Sequence, residues 1–285
     1  MTANPFADCR ARAEYLRRLI DLENELSPLE IWDLWQRRAE LPEAIIAPLG
    51  RTIKMMMLGA KDLRRFERTT LSENVFLYRG AGGAGQKTLL IGFGGNVNRL
   101  MLPTAIFLQF VPDADYDMLL LRDPTRSGYL RGVPGFGDDL VKMADAIRSH
   151  VDLGSYREVR CVGTSGGGQV ALYMGLLLDA RRAVSVGGRH RSLSKKVAAG
   201  DGEFTGYELD KFVQNLAPRS TELINLFGAQ CERDTEGARS LEKVLPQLKP
   251  VTIAALAEHN ALAYLLEQGS LSSFFSRILL SETVG

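Results

Sequence analysis

Alternation constrains this chain more than any single motif. From about residue 70 onward, short apolar runs alternate with stretches of helical periodicity. NVFLYRG, KTLLIGF, YDMLLLRD, REVRCVG, RAVSVGG, ELINLFGA and KPVTIAALA are too short for buried helices, and each reads as a strand. Between and after them, MLPTAIFLQFV, GDDLVKMADAIRSHV, GQVALYMGLLLDA, EGARSLEKVLPQL and ALAYLLEQGSLSSFFSRILL read as helices. Strands that are apolar along their whole length need cover on both faces. The pattern therefore predicts an α/β fold, a mainly parallel sheet flanked by helices. Ligands of such sheets bind at the carboxyl ends of the strands, so chemistry is sought in the loops that follow them.

Residues 1–69 have a different character and form an N-terminal helical segment ahead of the main domain at 70–285. Tyr15, Leu16, Ile20, Leu22 and Leu26 recur near the helical period. Ser27-Pro28 ends that run, and Pro28 suits the first position of a new helix that carries Leu29, Trp32, Leu34 and Trp35. A third helical stretch contains Met55, Met56 and Met57. These helices have an apolar surface for packing onto the main domain, for a lid or for a second copy of the chain.

Composition narrows the function classes. Thirty-five basic residues against 34 acidic ones give a net charge of +1, with no footprint for nucleic acid. No run reaches the roughly 18 apolar residues of a membrane span, and the charged N-terminal stretch lacks the apolar core of a secretory signal, so a cytoplasmic protein is expected. Cys9, Cys161 and Cys231 are far apart and form neither a disulfide framework nor a zinc pattern. No metal or organic cofactor is expected.

CVGTSGGG, at the end of one strand and the start of one helix, carries the chemistry. Gly163-Thr164-Ser165-Gly166-Gly167 fits G-x-S-x-G. A serine at the apex of such a turn is lifted above the sheet. Gly163 and Gly167 must be small because the backbone closes on itself, and the Gly166 amide points toward a developing oxyanion. The plainer reading is Ser165 as a helix N-cap. GAGGAGQKT (80–88) looks like a phosphate loop, but Gln86 separates Gly85 from Lys87 and the glycines lead into a strand instead of a helix. It reads as a connection between two strands.

An activated serine needs a base, and the base needs an orienting carboxylate. Of three histidines, His150 lies late in a helix and His190 in the basic loop GGRHRSLSKK. His259 follows the last strand, on the rim where Ser165 sits, and is taken as the base. Asp234 follows the strand ELINLFGA and is taken as the acid, just before a helix expected to begin near Glu236. Glu232 is its nearest competitor.

With these motifs the chain resembles the α/β-hydrolase superfamily over roughly residues 70–285. The loop LLIGFGGN has the glycines of the family's oxyanion loop, but Ile91 stands where many members have a histidine. The resemblance implies Phe93 N–H as the second oxyanion donor beside Gly166 N–H. It also implies a serine hydrolase cleaving an ester or thioester of a small-molecule acyl substrate. An acyltransferase would use the same triad. A catalytically silent binding or scaffold protein would keep the fold alone. Asn96, Arg126, Tyr129 and His190 are candidate substrate contacts, and the cluster Arg189, Arg191, Lys195 and Lys196 would attract an anionic substrate.

Overall fold

The computed structural model describes residues 4–193, 210–211, 213–215 and 220–282. Lys195 and Lys196 lie outside the described residues. Eight strands form one sheet: β1 (Glu67–Ser72), β2 (Val75–Arg79), β3 (Thr88–Phe93), β4 (Tyr116–Leu121), β5 (Glu158–Thr164), β6 (Arg182–Val186), β7 (Glu222–Gly228) and β8 (Lys249–Ile253). Their order is β1-β2-β4-β3-β5-β6-β7-β8. β2 runs antiparallel to both β1 and β4, and the remaining pairs are parallel. β1 was not expected. Its sequence ERTTLS has no apolar run, because it is a largely exposed edge strand paired on one side only.

The strand period of two divides the core into two layers. Phe76, Tyr78, Leu90, Met118, Leu120, Val162, Val184, Ile224 and Leu226 face one way. Val75, Leu77, Leu89, Ile91, Leu119, Cys161, Ala183 and Leu223 face the other. The first layer is covered by the N-terminal helices α1 (Arg12–Glu23), α2 (Pro28–Gln36) and α3 (Glu43–Met56), by α4 (Thr104–Gln109), and by the C-terminal residues Phe274 and Phe275. The second is covered by α5 (Leu140–His150), α6 (Gly168–Leu177) and α7 (Glu232–Glu242). α6 is buried on every side, which is why its sequence shows no polar stripe.

The N-terminal helices bury Leu19, Ile31, Ile45 and Leu49 directly in the sheet's core layer. Each such side chain contributes roughly 1.5–3 kcal/mol relative to exposure. Ser27 opens α2 with a reciprocal cap: its hydroxyl accepts from Glu30 N–H at 3.4 Å, and the Glu30 carboxylate accepts from Ser27 N–H at 2.8 Å. Arg68 of β1 then ties Glu25 and Glu30 to the sheet edge, at 2.7 and 2.9 Å.

At the opposite end from the loops of interest, Lys87 of the phosphate-loop lookalike is buried. Its ammonium donates to Asp117 at 2.8 Å and to the Gly80 carbonyl at 2.7 Å, so it is a structural ion pair. Nearby, the buried guanidinium groups of Arg160 and Arg182 reach the carbonyls of Leu279, Ser281 and Ile278 and hold the C-terminal segment onto the sheet. That segment is not one helix. After α8 (Ala261–Glu267), Gly269 takes a φ of +65°, and a turn at Leu271–Ser273 continues into a π-helix at Phe274–Leu279. The helix expected from residue 101 is also shorter, because Met101 has a φ of +60° and Pro103 caps a helix of only six residues.

Candidate active site

Ser165 sits where β5 turns into a short 3-10 stretch (Ser165–Gly167) that runs straight into α6. Its φ is +51°, the left-handed region that a side-chain-bearing residue enters at a cost of order 1–3 kcal/mol. The two flanking glycines make the turn possible. A Cβ on Gly163 would stand 2.0 Å from the Gly167 carbonyl oxygen, and one on Gly167 would stand 2.2 Å from that of Phe93. The N-cap reading of Ser165 does not hold: Thr164 precedes the 3-10 turn, Gly167 precedes α6, and neither start has a side-chain cap bond.

Three strand ends converge on this serine. His259 lies beyond β8, and its Nε2 is 2.8 Å from Ser165 Oγ. Its Nδ1 is 2.6 Å from Asp234 Oδ1. An ionised carboxylate only accepts, so Nδ1 carries the proton and Nε2 of the neutral ring is left to accept the serine hydroxyl. Asp234 is buried, with 1% of its side chain exposed, whereas His259 keeps 27%. Among the described residues the His259 bond is the only hydrogen bond to this carboxylate, and Oδ2 has no partner. Gly187 (φ +59°) floors the pair. A Cβ there would come within 3.1 Å of His259 Cε1 and 3.2 Å of Asp234 Oδ2.

The helix carrying Asp234 begins earlier than the sequence suggested, at Glu232 with Cys231 preceding it. Asp234 therefore sits in the first turn of α7, with its side chain turned inward, and Glu232 is exposed. The other histidines are engaged elsewhere. His150 ends α5 on the surface, with Nδ1 donating to the Ala146 carbonyl at 2.9 Å. His190 is buried at the margin of the cleft, its Nε2 3.0 Å from Asp210 and its Nδ1 2.8 Å from Ser192 Oγ. Burial alone would raise the Asp210 carboxyl, but bonds from His190 and Tyr173 and the Arg191 charge outweigh it and hold it below its ordinary value.

The cleft over Ser165 is lined by Asn96 and Gly166 on one flank, Arg126 on a second, and Arg189 and Arg233 on a third. Asn96 lies beside Gly166, its Oδ1 2.6 Å from where a Gly166 Cβ would be. Phe93 does not reach this cleft. It is the last residue of β3, fully buried and in register with Leu121 and Gly163. Gly94 N–H already donates to the Leu121 carbonyl on β4, so strand alternation turns the Phe93 amide toward β5. Gly95 N–H is taken by the Arg99 carbonyl.

Tyr129, expected at the substrate, faces the core. It is 1% exposed, with its ring edge-on to Phe93. Its hydroxyl lies 2.8 Å from the Leu121 carbonyl and 3.1 Å from that of Gly94. It thereby buttresses the loop after β3. Asp123, which the sequence reading did not single out, organises the loop that presents both Tyr129 and Arg126. Its buried carboxylate accepts the amides of Thr125, Ser127 and Tyr129 at 2.9, 2.7 and 2.9 Å. The Asp-Pro-Thr-Arg-Ser-Gly run after a strand was the available signal.

Among the described residues, no helix is long and apolar enough to cross a membrane, and no cluster of His, Cys, Asp and Glu is placed to hold a metal.

No family model and no curated protein matches the chain by sequence. Solved structures do match in shape. The 2,6-dihydroxy-pseudo-oxynicotine hydrolase superposes with a TM-score of 0.52 at 13% identity, over 93% of this chain and 89% of that one. The capsule O-acetyltransferase of Neisseria meningitidis serogroup A gives 0.48 at 15% identity, over 73% and 96%. The enterochelin esterase from Shigella flexneri gives 0.47 at 16% identity, over 75% of this chain but only 59% of that one. The sheet order, the helices on both faces and the serine at the turn after β5 together give this chain the fold of the α/β-hydrolase superfamily.

Proposed function

We propose that the protein is a serine hydrolase that cleaves a carboxylic ester or thioester through an acyl-enzyme on Ser165. One observation carries the reading: an unbroken hydrogen-bond relay, 2.6 Å from Asp234 to His259 and 2.8 Å from His259 to Ser165, on residues from three different strand ends. Ser165 Oγ attacks the acyl carbonyl while its proton passes to His259 Nε2. Asp234 fixes the ring's tautomer and stabilises the imidazolium. The carbonyl electron pair moves onto oxygen, where Gly166 N–H donates at the head of the helical run. The second donor comes from the loop after β3, and Asn96 is the member of that loop that lines the cleft. Collapse of the tetrahedral intermediate expels the alkoxide or thiolate, which takes the proton from Nε2. Water then repeats the sequence and releases the acid.

The test is labelling of the folded protein by a fluorophosphonate probe, beside Ser165→Ala and His259→Ala. Labelling confined to the wild type supports an activated nucleophile. A folded wild-type chain that neither labels nor releases 4-nitrophenol from short-chain esters would overturn the reading.

A further inference from the structure

The charged groups around Ser165 are unevenly matched. Arg126 stands in the loop after β4, Arg189 in the loop after β6, and Arg233 in the first turn of α7 after β7. With β5 between β4 and β6 in space, the three bracket the nucleophile from both sides. Among the described residues, none of the three guanidinium groups has a carboxylate within 4.0 Å or a hydrogen-bond partner. Arg191, on the same cleft, is already neutralised by Asp210 at 2.6 Å. No described lining residue is acidic. The nearby carboxylates are Asp234, which is committed to His259, and Glu236. Partial burial, and next the like charge of Arg233, push the Arg189 guanidinium below its ordinary value. Arg189 is half-buried beside the exposed Arg126 and Arg233, and an arriving anion offsets the repulsion between the Arg189 and Arg233 charges.

We infer that Arg126, Arg189 and Arg233 form an oxyanion-binding subsite beside Ser165, and that the ester or thioester turned over there carries a carboxylate or phosphate group. This rests on the serine-hydrolase reading for the identity of the bond cleaved, but not for the binding of the anion. The three guanidinium groups line the same cleft as Ser165, so the anionic group lies close to the scissile carbonyl, as in a short dicarboxylic half-ester or a small phosphorylated acyl group.

A matched pair of substrates tests this: the 4-nitrophenyl monoester of succinic acid and the same compound with its free carboxyl methylated. The leaving group is identical, so the ratio of kcat/KM values reads the charge alone. Wild type should favour the anion by about tenfold or more, and Arg189→Gln and Arg233→Gln should each cut the ratio by about tenfold, the scale of one charge-assisted hydrogen bond. Added sodium chloride should compress the wild-type ratio without any substitution. A wild-type ratio near one, or a ratio indifferent to both substitutions, overturns the subsite while leaving the hydrolase reading intact. If neither ester is turned over and the probe does not label, calorimetric titration of Ser165→Ala with succinate and with inorganic phosphate still decides. Saturable binding that weakens at least tenfold when Arg189→Gln and Arg233→Gln are added upholds the subsite, and the tighter ligand identifies the anion. No binding of either overturns it.

Discussion

The triad and the arginines that share its cleft are opposites in how their charges are met. Asp234, His259 and Ser165 satisfy one another in sequence, and the relay is complete without a ligand. Arg126, Arg189 and Arg233 are brought to the same place, and none has a carboxylate within 4.0 Å among the described residues. On the proposed function, the self-sufficient set is the machinery, and the open set describes what that machinery acts on.

The contrast is tested hardest at the triad. Ser165→Ala or His259→Ala should lower kcat/KM by about 10⁴–10⁶-fold, with thermal melting near that of the wild type. Asp234→Asn should cost about 10⁴-fold in kcat, because an amide no longer fixes the tautomer of His259. A small loss for Asp234→Asn would shift the orienting role to another carboxylate, with Glu232 the first to substitute. Gly167→Ala tests the turn on which both sets depend. Its methyl would meet the Phe93 carbonyl, and the loss of stability should be about 4 kcal/mol or more by chemical denaturation. Arg126→Gln acts on the other side of the contrast, with about a tenfold fall confined to the anionic ester. The smallest effect is expected from Tyr129→Phe. Loss of one hydroxyl should cost about 0.5–1.5 kcal/mol of stability, and a buttress under the oxyanion loop should register in kcat before KM.

The meeting of Ser165, Asp234 and His259 was legible in the sequence for a specific reason. The turn at Ser165 is local, so five consecutive residues carry all its steric demands. His259 could be chosen because a parallel sheet sends every functional loop to one rim; of the two histidines that follow strands there, His190 stands in a basic loop and His259 directly before a helix. The helix start near Asp234 was misplaced by about a turn, since no Ser, Thr, Asp or Asn marks the N-cap at Cys231. Edge strand β1 gave no apolar signal because it buries little. Tyr129 was assigned to the wrong side. Its φ of +60° and the Asp123 carboxylate decide which way it points, and neither appears in a residue pattern. The oxyanion loop was read by resemblance, which gives the glycines but not which amides the ladder has already used. The joint presence of Arg126 and Arg233 could not be read at all. They are neighbours only because β4, β5, β6 and β7 end on the same side of the sheet.

The two buried arginines at the far end of the sheet bear on when this molecule comes into being. Arg160 and Arg182 complete their hydrogen bonding on carbonyls that lie between 96 and 121 positions later in the chain. Ser165, Asp234 and His259 all precede those carbonyls. A growing chain therefore holds every residue of the relay, and the Glu158 and Glu222 partners of the two cations, before it holds the segment that completes their hydrogen bonding. A chain stopped just short of Ile278 would contain all three residues of the relay and leave the Arg160 and Arg182 guanidinium groups with Glu158 and Glu222 but without those carbonyls.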